Sequence, residues 1–348
     1  MANIMINKVC NLKCPYCFAN KFVNKESCED KNNISIENFK KALSFITFNA
    51  CEPQHIGIIG GEPTLHPHFE ELLQIAINSD KIKEVCLFTN GIHLNKCKEA
   101  MKSEKFGFLL NLNSPEDIGQ ERYDKIIENL KYFSKTYDKN KISIGVNIYD
   151  EHKDYSYIIK VAKEMGLFKI RMSIVVPNTK DKRNESPKEY FLRMKSKVFS
   201  FFKECRENGI IPYYDCNVMP CCFWNDEEIE WIKDYLEEFN KKYNYYSNLL
   251  NLPRCLPVID ILPDLKAVRC FGCSSSSSSS VSINDLLDME DLVNYFEKNI
   301  DFIALNTPMY EECCKCYDYY TLRCNGGCIA FKQGRMTKFS NIIKAFNQ

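Results

Sequence analysis

Apolar residues along the first two hundred or so positions fall into short blocks that alternate with amphipathic stretches. NIMIN at 3–7 reads as a strand, and IENFKKALSFITFN at 36–49 places its apolar residues at helical spacing. HIGIIGGEP at 55–63 is an apolar run stopped by two glycines, as a buried strand is, and FEELLQIAINS at 69–79 is a helix. EVCLFTNG at 84–91 reads as the next strand, followed by a helix at 95–104 and a strand at 107–113. A helix at 120–136, a strand at 142–149, a helix near 154–165 and a strand at 168–176 continue the series. A long helix over 187–208 and a strand at 210–216 close it.

Strands alternating with helices of this length imply βαβ units and a parallel sheet. About six strands precede residue 180. Eight would close a barrel, whereas six leave it partly open. In parallel α/β folds ligands bind at the carboxyl ends of the strands. The cysteine loop after residue 7, Gly60–Pro63, Thr89–Gly91, Asn111–Ser114 and Arg171–Ser173 all fall at such ends.

Beyond about residue 215 the rhythm breaks. A charged amphipathic helix is expected over 226–251, then a hairpin over 254–273 with Pro263-Asp264 in its turn, and a helix over 283–299. Ser274 to Ser280 is an unbroken serine run and reads as a surface loop. Two domains are expected, 1–215 and 216–348.

Composition narrows the chemistry. The chain has 348 residues, 45% of them hydrophobic, and so can bury a core without disulfide staples. Lys+Arg and Asp+Glu balance at 46 each, which weighs against binding nucleic acid by counterion release. No secretory signal and no apolar run of membrane-spanning length is visible, so a cytoplasmic protein with reduced thiols and no membrane partner is expected. Yet 19 cysteines are present, unevenly spread: Cys10, Cys14 and Cys17 crowd the start, and twelve lie between Cys205 and Cys328. Many thiols in a reducing compartment read as metal ligands. Cys28, Cys51, Cys86, Cys97 and Cys205, outside the dense groups, read as incidental.

Cys10-Asn-Leu-Lys-Cys14-Pro-Tyr-Cys17 is CxxxCxxC. A structural zinc site needs four ligands. A four-iron, four-sulfur cluster takes one thiolate per iron, so three thiolates leave one iron for another ligand. The motif, with an aromatic residue (Tyr16) before its last cysteine, resembles that of the radical S-adenosylmethionine (SAM) enzymes. The resemblance implies a partial (β/α)6 barrel and a [4Fe–4S] cluster on Cys10, Cys14 and Cys17 whose open iron chelates SAM. It implies reductive cleavage of SAM to a 5′-deoxyadenosyl radical that abstracts hydrogen from a substrate. Gly60-Gly61-Glu62-Pro63 resembles the family's GGEP motif, which binds the amino group of SAM. Asn113 and Ser114 match where the family contacts the ribose, and Arg171 and Ser173 where it holds the carboxylate. Thr89-Asn90-Gly91 matches a frequent third-strand ending.

The second cysteine group comprises Cys255, Cys270, Cys313, Cys316, Cys324 and Cys328. It resembles the SPASM extension or its shorter relative, the twitch domain, a small cysteine-rich C-terminal domain bearing one or two auxiliary [4Fe–4S] clusters. A four-cysteine zinc knuckle on Cys313, Cys316, Cys324 and Cys328 is the competing reading. Two departures stand out. Leu265 occupies a hairpin position where the family usually has glycine, and no cysteine follows Cys328. A second cluster would therefore lack a ligand or borrow one, with Cys216, Cys222 and Cys273 as candidates and Cys222 preferred over its neighbour Cys221.

The function implied is modification of a ribosomally made peptide, by thioether formation, carbon–carbon crosslinking or epimerisation. The alternatives are maturation of a protein side chain as in sulfatases, a small-molecule dehydrogenase, or a non-catalytic iron–sulfur or zinc protein. Since only nine residues precede Cys10, a leader-binding module is expected as a separate chain or not at all. Flavodoxin or ferredoxin is the expected electron donor. His66 and His68 read as solvated turn residues, and no residue beyond the cluster and SAM site is assigned to catalysis.

Overall fold

The computed structural model describes residues 2–17, 19, 32–175, 185–252, 255, 258–270 and 280–346, with side chains as far as 338. It divides into two compact units, Met1–Ile144 with Pro257–Ile300, and Gly145–Leu256 with Asp301–Gln348.

The first unit is built on β1 (Ala2–Asn7), α1 (Ile36–Thr47), β2 (Gln54–Gly60), α2 (Phe69–Asn78), β3 (Ile82–Thr89), β4 (Phe106–Asn111), α3 (Pro115–Ile118) and α4 (Gln120–Thr136). β1, β2, β3 and β4 pair in parallel in that order. Ile4, Ile56, Ile58, Val85 and Leu87 are buried along the strands. α1 begins at Ser35, whose side chain accepts the Asn38 amide N–H, and it buries Phe39, Ala42, Leu43 and Ile46.

The second unit takes β5 (Ile142–Ile148), α5 (Ser156–Met165), β6 (Lys169–Ile174), α6 (Pro187–Glu207), β7 (Ile211–Tyr214) and α7 (Asp226–Tyr243). β6 pairs in parallel with β5 and with β7. α6 opens on a capping box between Ser186 and Glu189, with Pro187 inside its first turn. α7 opens on a second box, Asn225 with Glu228, and stops at Asn244, which takes a left-handed conformation.

The expected hairpin is present as β8 (Ile259–Ile261) and β9 (Lys266–Arg269), joined by β10 (Ser280–Ser282). These strands lie past residue 215 in sequence, yet β8 pairs in parallel with β1, Ala2 opposite Ile259, and so extends the first unit's sheet. A cross-strand bond fixes the join: Asn3 Nδ2 donates to Asp260 Oδ1 at 2.7 Å, with both residues buried. α8 (Met289–Phe296) completes this unit; α9 (Phe302–Leu305), α10 (Tyr317–Tyr320) and α11 (Ile329–Phe346) complete the second.

Two expected helices are corrected. Residues 95–104 form two 3₁₀ turns, Leu94–Cys97 and Ala100–Lys102, with no side-chain cap at either start. Their apolar residues are buried all the same. The helix expected from 283 begins only at Met289, because the Asp288 side chain accepts the amide N–H groups of Glu290 and Asp291 and caps it there. The serine run at 274–279 and its loop reading lie outside the described residues, and Ser280 opens β10.

Candidate functional site

The site of the first unit is assembled at the carboxyl ends of its strands. The loop after β1 carries Cys10, Cys14 and Cys17, all partly exposed. The Cys17 amide donates to the Cys14 carbonyl at 3.1 Å, and the Leu12 amide to Cys10 Sγ at 3.4 Å. Burial, then the neighbouring Cys17 and Cys10, push the Cys14 thiol up to about 12. Crowded thiols that resist ionising separately are what a cationic cluster would relieve. The donor set, three sulfurs at CxxxCxxC spacing, fits a [4Fe–4S] cluster with one iron left open. From the end of β4, Asn113 Nδ2 lies 3.6 Å from Cys14 Sγ, and Asn113 Oδ1 accepts the Tyr16 hydroxyl at 2.6 Å. Tyr16 thus ties the cysteine loop to β4. Ser114 caps α3 and donates to Asp117 Oδ2 at 3.2 Å.

The turn after β2 is locked onto the same loop. The amides of Gly61 and Glu62 donate to the carbonyls of Asn7 and Val9 at 3.1 and 2.7 Å, and Asn7 Nδ2 donates to the Glu62 carbonyl at 2.8 Å. Glu62 is 1% exposed and caps the 3₁₀ turn Pro63–Leu65. Its Oε1 accepts from Thr64 Oγ1 (2.6 Å), Thr89 Oγ1 (2.8 Å) and the Thr64 amide (3.2 Å), and its Oε2 from the Asn90 amide (2.7 Å). Burial raises its pKa and these four donors oppose the rise. The carboxylate therefore knits β2 to β3. Asn90 Nδ2 in turn donates to Asn11 Oδ1 in the cysteine loop at 2.8 Å.

His66 is corrected: it is 1% exposed rather than a solvated turn residue. Its Nε2 sits 2.9 Å from the Ile34 carbonyl, and its Nδ1 accepts the His68 amide at 3.0 Å. His68 is exposed, as expected. Cys97 and Cys205 are core residues, Cys86 is half-buried, Cys51 is exposed, and Cys28 lies outside the described residues.

In the second unit Arg171 and Ser173 on β6 meet Asn147 on β5. Arg171 Nη1 donates to Asn147 Oδ1 (2.8 Å) and Ser173 Oγ (3.2 Å), Ser173 Oγ donates to Asn147 Oδ1 (2.7 Å), and Arg171 Nε pairs with Asp215 Oδ2 (2.8 Å). Burial works against the guanidinium charge, but Asp215 and the nearby Cys216 thiol outweigh it and raise the pKa. Asn7, Asn11, Asp117, Asn147 and Asp215 were not anticipated. A polar residue within an apolar strand, as in ISIGVNIY, was the available signal for Asn147.

The remaining thiols of this unit sort into two groups. Burial first, and then the neighbouring Cys316, raise the thiols of Cys222, Cys313 and Cys324; Cys222 adds to the rise at Cys313, Cys324 and the adjacent Cys221. Cys222 Sγ also lies 3.0 Å from the Tyr310 hydroxyl. Cys216, Cys255 and Cys328 form the second group. The asparagine of Cys324-Asn-Gly-Gly-Cys328 links them: Asn325 Oδ1 accepts the Cys255 amide at 3.0 Å, and its Nδ2 donates to the Cys255 carbonyl at 2.7 Å. Cys270 belongs to the first unit, and Cys273 lies outside the described residues. Among the described residues no three Cys, His, Asp or Glu side chains close on a single metal ion. A cluster, taking one thiolate per iron, asks instead for thiols spread around a larger body.

Comparison with known proteins agrees with this architecture. Residues 4–162, a little under half of the chain, match the family model of the radical SAM superfamily. Among curated relatives, the GTP 3′,8-cyclase of Chlorobaculum tepidum is 29% identical over 98 residues, 28% of each chain. The match thus spans about a quarter of the length of the first such relatives. Among solved structures, SuiB of Streptococcus suis bound to S-adenosylmethionine superposes with a TM-score of 0.63 at 19% identity, covering 94% of this chain and 72% of SuiB. The structure of anSMEcpe with bound AdoMet and the Kp18Cys peptide gives 0.63 at 21% identity, covering 94% and 88%. These likenesses show the fold, an α/β partial barrel with an open sheet. Among the described residues no helix is long and apolar enough to cross a membrane.

Proposed function

We propose that this protein is a radical SAM enzyme that modifies a peptide. The observation that carries the reading is the convergence of Cys10, Cys14 and Cys17 beside Asn113, with the Glu62 turn locked to the same loop. When bound, a [4Fe–4S] cluster with SAM on its open iron supplies a 5′-deoxyadenosyl radical for hydrogen abstraction. Cys10, Cys14 and Cys17 hold the cluster. Asn113 steadies Cys14 and, through Tyr16, the loop itself. Glu62, Gly60, Gly61 and Pro63 shape the turn that receives the SAM amino group, Ser114 lies by the ribose, and Arg171 with Ser173 takes the carboxylate. Asp215 and Asn147 position the Arg171 fork.

A peptide substrate is supported by the neighbours in fold, since one SuiB structure holds the precursor peptide SuiA and one anSMEcpe structure the Kp18Cys peptide. The auxiliary clusters of this reading fall to Cys222, Cys313, Cys316 and Cys324, and to Cys216, Cys255 and Cys328 with Cys270 or Cys273 as a further ligand. A cytoplasmic electron donor such as flavodoxin or ferredoxin, and a separate leader-binding protein, complete the proposal. The likeness to GTP 3′,8-cyclases keeps a small-molecule substrate as the second reading.

The test is anaerobic reconstitution. At least eight irons per chain, and conversion of SAM to 5′-deoxyadenosine under reductant, are expected. Zinc in place of iron, or iron without SAM cleavage, would overturn the reading. Mass spectrometry of a neighbouring short peptide co-expressed anaerobically then decides the substrate.

A further inference from the structure

Lys332 on α11 is 1% exposed, among the most buried side chains of the protein. It stands one helical turn beyond Cys328. Its Nζ donates to the Ala304 carbonyl at 3.0 Å and to the carbonyl of Asn325, the residue whose side chain brackets the Cys255 backbone. No carboxylate pairs with it among the described residues. Burial lowers the pKa of this ammonium, and the thiols that push back are Cys255, Cys324, Cys328 and Cys313. Two of these belong to each thiol group of the second unit. An ammonium this deep needs a counter-charge, and backbone carbonyls supply only dipoles. Thiolates on a cluster supply the charge.

We propose that Lys332 is a fixed positive charge shared by two thiolate-ligated iron–sulfur sites, holding the reduction potential of both above that of an uncharged pocket. The inference rests on the auxiliary-cluster reading above. One-electron reduction adds a negative charge to a cluster whose thiolates already make it anionic, and a nearby cation stabilises the reduced form. Net charge and burial are among the levers that set such potentials. Lys332 is a positioning residue here: it touches no substrate, and it also pins the Cys324–Cys328 loop through Asn325.

The test is an anaerobic redox titration of the full-length, reconstituted protein, followed by electron paramagnetic resonance of the signals that do not change when SAM is added. Lys332→Gln keeps a donor for the two carbonyls and removes the charge, whereas Lys332→Arg keeps the charge. With K332Q the auxiliary sites should become at least tenfold harder to reduce, about 59 mV per tenfold for one electron, and K332R should stay near the wild type. Equal midpoints in all three proteins would overturn the proposal. So would loss of auxiliary iron from both variants, which assigns Lys332 to loop structure alone. Loss from K332Q only, with K332R retaining iron and potential, supports the need for the charge. Wild-type protein without any SAM-insensitive signal would refute the auxiliary clusters, and this inference with them.

Discussion

Gly60 ends β2 hard against Asn7, and replacing it tests the geometry of the turn directly. A Cβ added there would sit 2.3 Å from Asn7 Oδ1, 3.3 Å from Asn7 Cγ and 3.1 Å from the Asn7 carbonyl oxygen. Swinging the Asn7 side chain away removes the first two contacts and leaves the third, which is backbone. It also breaks the bond from Asn7 Nδ2 to the Glu62 carbonyl and strands buried polar groups. Overpacking costs about 1–3 kcal/mol, and an unsatisfied buried partner about 1–3 kcal/mol more. Gly60→Ala should therefore destabilise the protein by about 2–6 kcal/mol. Asn7→Ala alone gives up one hydrogen bond, about 1 kcal/mol, and removes an Oδ1 that is buried without a partner. The double variant should cost less than the sum of the two by about 1–2 kcal/mol, since the alanine at 7 makes room for the one at 60. Anaerobic urea unfolding of the four proteins measures the cycle, and isothermal titration with SAM reports the turn. Costs that add within about 0.5 kcal/mol, or a G60A variant as stable as the wild type, would refute the reasoning.

Four further outcomes follow. Alanine at Cys10, Cys14 or Cys17 should abolish SAM cleavage while auxiliary iron remains by iron assay; loss of all iron would contradict separate sites. Tyr16→Phe removes the hydroxyl that Asn113 accepts, costing about 1 kcal/mol and weakening SAM binding several-fold by titration. Asp215→Asn takes the counter-charge from buried Arg171 and should raise KM for SAM more than it lowers kcat in steady-state kinetics. Burial, helped by the nearby His68, holds the His66 pKa below its ordinary 6.5, so the unfolded chain takes up the proton first as pH falls. Its stability contribution is then fully present above pH 6.5 and lost as pH drops through that value toward the lowered one; urea midpoints between pH 5 and 7.5 should slope, and His66→Gln should flatten the slope.

Much of the fold was legible because its physics is local. Alternating apolar blocks located the strands β1–β7 within a few residues, and the pairs Ser186–Glu189 and Asn225–Glu228 explain why α6 and α7 start where they do. The reading failed where long-range packing decides. His66 looked like a turn residue, since nothing nearby in sequence announces that the Ile34 carbonyl and the His68 amide will enclose its ring. The segment at 95–104 has helical spacing but no cap, and settles for 3₁₀ turns. Asn7, Asn11 and Asp117 were hidden because their partners, Glu62, Asn90 and Ser114, become partners only once the strands are aligned or the chain turns back on itself.

Leu265 shows where a departure in sequence need not be one in shape. The hairpin position that resembles a glycine site carries leucine, yet its φ is +62°, the left-handed conformation glycine favours. Forcing a branched residue there costs about 1–2 kcal/mol. The side chain is 3% exposed, and burying a leucine returns about 1.5–3 kcal/mol. The Leu265 backbone is held at both ends: its amide donates to the Leu262 carbonyl at 2.9 Å, and its carbonyl accepts from Ile283 at 2.9 Å, fixing the β8–β9 turn against the start of the 3₁₀ turn after β10. The turn is thus kept by packing where glycine would keep it by freedom. The same substitution of means describes the missing cysteine after Cys328. In the reading proposed above, Cys222, from the turn before α7, joins Cys313, Cys316 and Cys324 and leaves Cys328 to the second group. A motif scored position by position counts both as defects. Geometry counts the same backbone at Leu265.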